Sequence, residues 1–235
     1  MSDKIFFHIN VSSIENGKFI LDDSESHHFI KVLRKNIDTE IWLTDGMGNV
    51  YQAAVDGINN KIVSGMIVQE YPMYGENKYK LNLGIGILKK DKMEYVVEKA
   101  TECGVNQIFP IIMDRSIKRD VNIERLNKIV FTAVKQCGRS VLPTIHEPMS
   151  TNEFINSMNN KIMVFHELGN SIEKDKIINL NDEINILIGS EGDISECELE
   201  LLRSHKAEFF NLGNRRLRSE TAVVTALSQL NLIFN

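Results

Sequence analysis

Two glycine-bearing stretches in the C-terminal half carry residue types from which a site can be built. In Ile188-Gly189-Ser190-Glu191-Gly192-Asp193 a strand-like run ends in two glycines. They let backbone approach a ligand closely and expose N–H donors ahead of a helix that Ser195 begins. In Leu212-Gly213-Asn214-Arg215-Arg216-Leu217-Arg218-Ser219-Glu220-Thr221-Ala222 a strand end is followed by three arginines and a small-residue helix. Guanidinium groups there suit charge that becomes negative during a reaction. The common alternatives fail on spacing. Gly84-Ile-Gly86 begins like a dinucleotide fingerprint, but the position of the third glycine is Lys89. No phosphate-binding Gly-x-x-x-x-Gly-Lys-Ser/Thr loop and no Gly-x-Ser-x-Gly elbow occurs. His27 and His28 lack partners at ligand spacing, so no metal site is expected. Cys103, Cys137 and Cys197 are too far apart for a CxxC pair and read as reduced core thiols.

In open α/β sheets ligands collect at the carboxyl ends of strands, so the elements around these turns decide what they can do. After residue 72 strands and helices alternate. Strand-like 80–88 precedes a helix with a capping-box-like start at Asp91-Lys-Met-Glu94 and a stop at Gly104. Strand 105–113 and helix 122–136 follow, then strands at 161–165, 183–188 and 208–212. Cap signals stand between them at Ser150-Thr-Asn-Glu153 and Ser195-Glu-Cys-Glu198. This alternation predicts a largely parallel sheet covered on both faces. Residues 1–72 differ: short apolar runs separated by turns, such as Asp45-Gly-Met-Gly48, predict a small β-barrel-like domain. One helix interrupts it at Asp23–Arg34, with Ser24 or Ser26 as its N-cap. The Pro- and Gly-containing stretch 71–78 reads as the linker between a domain at 1–72 and one at 73–235.

The 235 residues carry 27 Lys+Arg against 32 Asp+Glu, a net charge of −5, so indiscriminate coating of nucleic acid is excluded and any such contact must be local. Basic residues do cluster, at Lys31 to Lys35, Lys89 to Lys92, Arg115 to Arg119 and Arg215 to Arg218. No run approaches the roughly 20 apolar residues of a membrane span, and the first residues turn polar too soon for a secretory signal. A cytoplasmic protein is the expectation.

Five segments, in order and at fitting spacing, resemble the RsmE family of ribosomal RNA small-subunit methyltransferases. They are His28-Phe-Ile-Lys-Val-Leu-Arg34, Lys92-Met-Glu-Tyr-Val-Val-Glu-Lys99-Ala-Thr-Glu102-Cys-Gly104-Val, Gln136-Cys-Gly138-Arg139-Ser-Val-Leu-Pro143, Ile188-Gly-Ser-Glu191-Gly192 and Leu212-Gly213-x-Arg215-x-Leu217-Arg218-x-Glu220-Thr221-Ala222. The resemblance implies an α/β protein with an N-terminal PUA-like RNA-binding β-barrel and a C-terminal SPOUT α/β domain. A trefoil knot in that domain would bind S-adenosyl-L-methionine, and two subunits would pair. The implied reaction is methylation of N3 of a uridine in 16S rRNA of the assembled small subunit.

By the same resemblance Phe165, His166 and Glu167, then Gly189, Glu191 and Gly192, then Leu212, Gly213 and Leu217 hold the cofactor. Lys31, Arg34, Arg115 and Arg139 are the RNA candidates, contacting phosphate rather than reading bases. Arg218 is the catalytic candidate, stabilising charge on the uracil oxygens. Glu220 orients it, accepts the proton, or serves as a salt bridge or helix N-terminal charge. The chain departs from the family at three places. The loop that commonly reads G-P-E-G-G has Ser190 and Asp193, and the usual Glu before the Gln-x-Gly-Arg segment is Lys135. Ser190 and Asp193 keep open the reading of a non-catalytic RNA-binding or assembly factor, and a SPOUT methyltransferase acting on another RNA is a second alternative.

Overall fold

The structure, a computed structural model, describes residues 4–172 and 183–234. The chain folds as two compact units, one of residues up to Glu76 together with Phe131–Leu142, the other of Asn77–Val130 with Pro143 onward.

The first unit contains β1 (Phe6–His8), β2 (Ile14–Glu15), β3 (Lys18–Ile20), α1 (Asp23–His27) with a π-helical continuation over His28–Val32, β4 (Glu40–Thr44), β5 (Asn49–Asn59) and β6 (Ile62–Pro72). Its six strands form one sheet in the order β1-β4-β5-β6-β3-β2, antiparallel except for the β1–β4 pair. Alternate positions turn inward, and Phe7, Phe19, Phe29, Leu43 and Val63 are fully buried. The expected Asp45–Gly48 turn joins β4 to β5, and the Asp45 carboxylate accepts from the Met47 and Asn49 amides. The cap of α1 differs from expectation. Asp22 accepts from the Glu25 amide at 2.8 Å, because Ser26 is buried and its hydroxyl already lies between the Leu21 carbonyl and the Val63 amide.

The second unit contains β7 (Lys80–Gly86), α2 (Lys90–Glu102), β8 (Gln107–Ile112), β9 (Thr144–Ile145), β10 (Met149–Ser150), α4 (Thr151–Ser157), β11 (Ile162–Ser171), β12 (Glu183–Ile188), α5 (Glu196–Ser204), β13 (Glu208–Asn211) and α6 (Ser219–Phe234). Helix α3 (Ile123–Cys137) starts in this unit and its last residues belong to the first. Every strand pair is parallel, in the order β10-β8-β7-β12-β11-β13, with β9 beside β8. Among the described residues helices connect β7 to β8, β8 to β9, β10 to β11 and β12 to β13, as the alternation predicts. Ser150 and Ser195 form complete capping boxes with Glu153 and Glu198. The box expected at Asp91 to Glu94 does not form. Helix α2 begins at Lys90 without a side-chain cap, and Glu94 is paired with Arg125, which holds its carboxyl below the usual range. Among the described residues no helix is long and apolar enough to cross a membrane.

Candidate cofactor and catalytic site

The parallel register aligns the ends of β12 and β13 with the register shift inside β11. Phe165 of β11 lies opposite Ile188 of β12 on one side and Phe210 of β13 on the other. The residues that follow these three positions therefore lie at the same edge. Residues 165–167, 188–191, 193 and 211–219 line one cleft of about 790 Å³ there. Within it Phe165 and Ile188 are buried apolar side chains, while Arg215, Arg216 and Arg218 are exposed.

Glycines set the loop positions. A side chain at Gly86, the last residue of β7, would stand 2.4 Å from the Ser190 amide nitrogen, so Gly86 lets the 189–193 loop lie on the sheet edge. A side chain at Gly192 would stand 2.5 Å from the Arg115 carbonyl oxygen. This loop is thus packed against the turn after β8, which Asp114 ties to the start of α5 by accepting from Ser195 Oγ and donating its amide to Glu198. Gly213 has φ +111 and open space where a side chain would project.

One lysine organises the acids. Lys92, in the first turn of α2, lies 3.0 Å from Glu191 Oε1 and 3.8 Å from Glu220 Oε2. Glu220 is in the first turn of α6, where the helix dipole also favours a carboxylate. The Arg218 guanidinium has no carboxylate partner among the described residues and faces the cleft. Asp193 adopts φ +65; its Oδ1 accepts from the Ile194 amide and lies 3.7 Å from His166 Nε2. Ser190 is 5 % exposed and its Oγ has no hydrogen-bond partner among the described residues.

Residues 75–231 match the RNA methyltransferase domain family, and residues 21–65 match the RNA methyltransferase PUA domain family. Over 233 residues the chain is 31 % identical to ribosomal RNA small subunit methyltransferase E of Rickettsia conorii, covering 96 % of this chain and 94 % of the relative. The chain belongs to the ribosomal RNA small subunit methyltransferase E family. The Bacillus subtilis member is 25 % identical over 250 residues, 97 % of this chain and 95 % of its own. The solved Neisseria gonorrhoeae member, bound to S-adenosyl methionine, superposes with a TM-score of 0.87 at 25 % identity, covering 98 % of both chains.

Against the family's expected site, Phe165, His166, Glu167, Gly189, Glu191, Leu212, Gly213, Leu217 and Arg218 all line the cleft. Gly192 does not; it is the packing position against Arg115. Glu220 meets Lys92 rather than Arg218. The Asp193 conformation supplies a reason for glycine in the G-P-E-G-G pattern, since the position is left-handed. Lys135, in place of the family's Glu, pairs with Glu25 at 2.6 Å within the first unit. Lys92 is the residue that sequence reasoning missed. Its signal was a lysine at the start of a helix that follows a strand of the same sheet, obscured by the solvated cluster Lys89-Lys90-Asp91 around it.

Of the RNA candidates, Lys31, Arg34 and Arg115 are exposed. Arg139 is a correction. It is 2 % exposed and its guanidinium donates to the Glu76 carboxylate, which also accepts from the Ser140 and Val141 amides. A buried, fully engaged arginine holds the chain together and offers no surface to phosphate. The cysteines are corrected too. Cys103 is half-buried, but Cys137 and Cys197 are exposed, because each falls on the outer side of its helix. Among the described residues no group of His, Cys, Asp or Glu is placed to hold a metal ion.

Proposed function

We propose that the chain methylates N3 of a uridine in 16S rRNA, using S-adenosyl-L-methionine and acting on the assembled small subunit. The observation that carries the reading is the convergence of the 189–193 and 212–218 turns on one cleft, with Arg218 at its wall having no carboxylate partner among the described residues. Family membership and a cofactor-bound relative of the same fold support it. The residues present fit the cofactor. Leu212, Leu217 and Ile188 supply apolar wall, the buried Ser190 hydroxyl is an unused hydrogen-bonding group, and Gly213 leaves room for close approach. S-adenosylmethionine, when bound, supplies an electrophilic methyl group on a sulfonium sulfur.

The chain's own work is to hold the acceptor and its charge. Uracil N3 carries an imide proton and is a poor nucleophile until that proton leaves, when negative charge spreads onto O2 and O4. Arg218 lines the cleft and has no carboxylate partner among the described residues, so it stabilises that anion and eases loss of the proton. Glu220, ion-paired with Lys92 at the start of α6, is the carboxylate two positions after Arg218 that accepts the proton or relays it to water. The rest is positioning, since displacement at a methyl carbon needs nucleophile and leaving group in line. Lys31, Arg34 and Arg115 contact RNA phosphate. The same reading includes a knotted C-terminal domain, a homodimer and a cytoplasmic location.

The test is incubation with methyl-labelled cofactor and small subunits that lack this modification, followed by mapping of the labelled nucleotide. Label at N3 of one 16S uridine is the expected result. Label on another base or on transfer RNA replaces the substrate, and no label on competent subunits rejects the enzyme in favour of an RNA-binding factor.

A further inference from the structure

Lys92, Glu191 and Glu220 come from three separate elements: the start of α2, the loop after β12 and the start of α6. Their side chains are 32, 19 and 15 % exposed. One cation thus faces two carboxylates, and the group is short of neutrality by one positive charge. The two oxygens that face the lysine, Glu191 Oε1 and Glu220 Oε2, are buried and, beyond the ion pairing with Lys92, have no hydrogen-bond partner among the described residues. An incompletely compensated carboxylate pair away from water is costly unless something else supplies positive charge. Arg215, Arg216 and Arg218 are in the same cleft but exposed, where water and salt screen them from the group. Ser190, one residue before Glu191, adds an independent sign of a missing occupant: a buried hydroxyl with no partner in the cleft wall.

We propose that the Glu191–Lys92–Glu220 group distinguishes the cationic methyl donor from its neutral product. This inference rests on reading the cleft as the S-adenosylmethionine site. The donor carries a sulfonium. Once its methyl group is bonded to the acceptor nitrogen, the electron pair of the broken C–S bond stays on sulfur and the product is an uncharged thioether; the imide proton leaves separately. The product keeps every other recognition feature of the donor, so only a group that responds to the lost charge separates the two. The excess negative charge of the three-residue group does this: it favours the donor before transfer and relaxes its hold afterwards. Lys92 is a positioning residue here. It holds both carboxylates in place while cancelling only half of their formal charge.

The opposite charges give opposite signs to the test. Calorimetry on the full chain measures the affinities for S-adenosylmethionine and S-adenosylhomocysteine and takes their ratio. Glu220→Gln removes negative charge and is expected to lower the donor:product affinity ratio by about 3- to 10-fold, the size of a partly screened charge interaction over several ångströms. Lys92→Met removes positive charge and is expected to raise the ratio, even if both affinities fall. A purely structural role moves both ligands together, so an unchanged ratio in both variants overturns the inference, as does a shift of the same sign in both. Circular dichroism checks folding; should Lys92→Met not fold, Lys92→Gln replaces it, and Glu191→Gln gives a second reading with the sign of Glu220→Gln. Failure of the unmodified chain to bind either ligand rejects the cofactor site itself, an outcome distinct from a flat ratio.

Discussion

Arg218 and Glu220 stand two positions apart yet meet different surroundings, and that divides their roles. Arg218 has no carboxylate partner among the described residues, whereas Glu220 is anchored to Lys92. Arg218→Ala is therefore expected to lower kcat by about 100-fold or more, the scale of losing one donor to a developing anion, while cofactor affinity by calorimetry changes little. Equal losses in both would remove it from the catalytic role. Asp193 poses a question of backbone strain. At φ +65 a side chain is disfavoured, but its carboxylate recovers part of the cost by accepting from the Ile194 amide. Asp193→Ala keeps the strain and loses the bond, so denaturant unfolding should place it about 1 kcal/mol below Asp193→Gly. Comparable stability of the two variants would show that the loop relaxes when the side chain is removed.

At the scale of elements, the cofactor loop depends on what lies under it. Gly86 and Gly192 are both at positions where a side chain meets backbone, and backbone cannot swing away as a flexible side chain does. Gly192→Ala is expected to cost about 1–3 kcal/mol and to weaken cofactor binding as well, because the 189–193 loop must lift from the Arg115 turn. Unfolding midpoints and calorimetry check the two effects separately, and an unaffected cofactor affinity would show that this packing does not shape the site. A second element carries a pH signature. His146 stacks on Phe109 at 4.0 Å and bonds Gln107 at 2.8 Å, and burial holds its pKa below the ordinary value. The unfolded chain then binds the proton more readily than the folded one, so this contribution to stability is complete above about pH 6.5 and is lost as pH falls below it. His146→Asn should flatten that part of the stability profile between about pH 7 and pH 5.5; a slope identical to the parent would assign it to other groups.

For the molecule as a whole, a net charge of −5 with exposed Lys31, Arg34 and Arg115 means local attraction to phosphate on an otherwise repelling surface. Lys31→Ala with Arg34→Ala is expected to weaken binding to small-subunit RNA across sequences and to reduce the slope of log affinity against log salt by about 2, measured by anisotropy over a salt series. An unchanged slope removes the pair from the interface. Much of this architecture was legible beforehand, because its signals are local. The β-rich first part, the strand–helix alternation, the serine capping boxes at 150 and 195, and the glycine turns ahead of arginines each depend on residues close in sequence. What failed depended on distant partners. Arg139 was legible as a basic residue, but not as one buried against a glutamate 63 positions earlier. Lys92 looked like one of several surface lysines until α2 brought it to Glu191 and Glu220. Residue order alone thus determined the elements, the family and the two turns that meet in the cleft. Only tertiary structure decided which charges are paired, which remain available and which glycines make room, because burial and pairing arise from side chains that the chain separates and packing brings together.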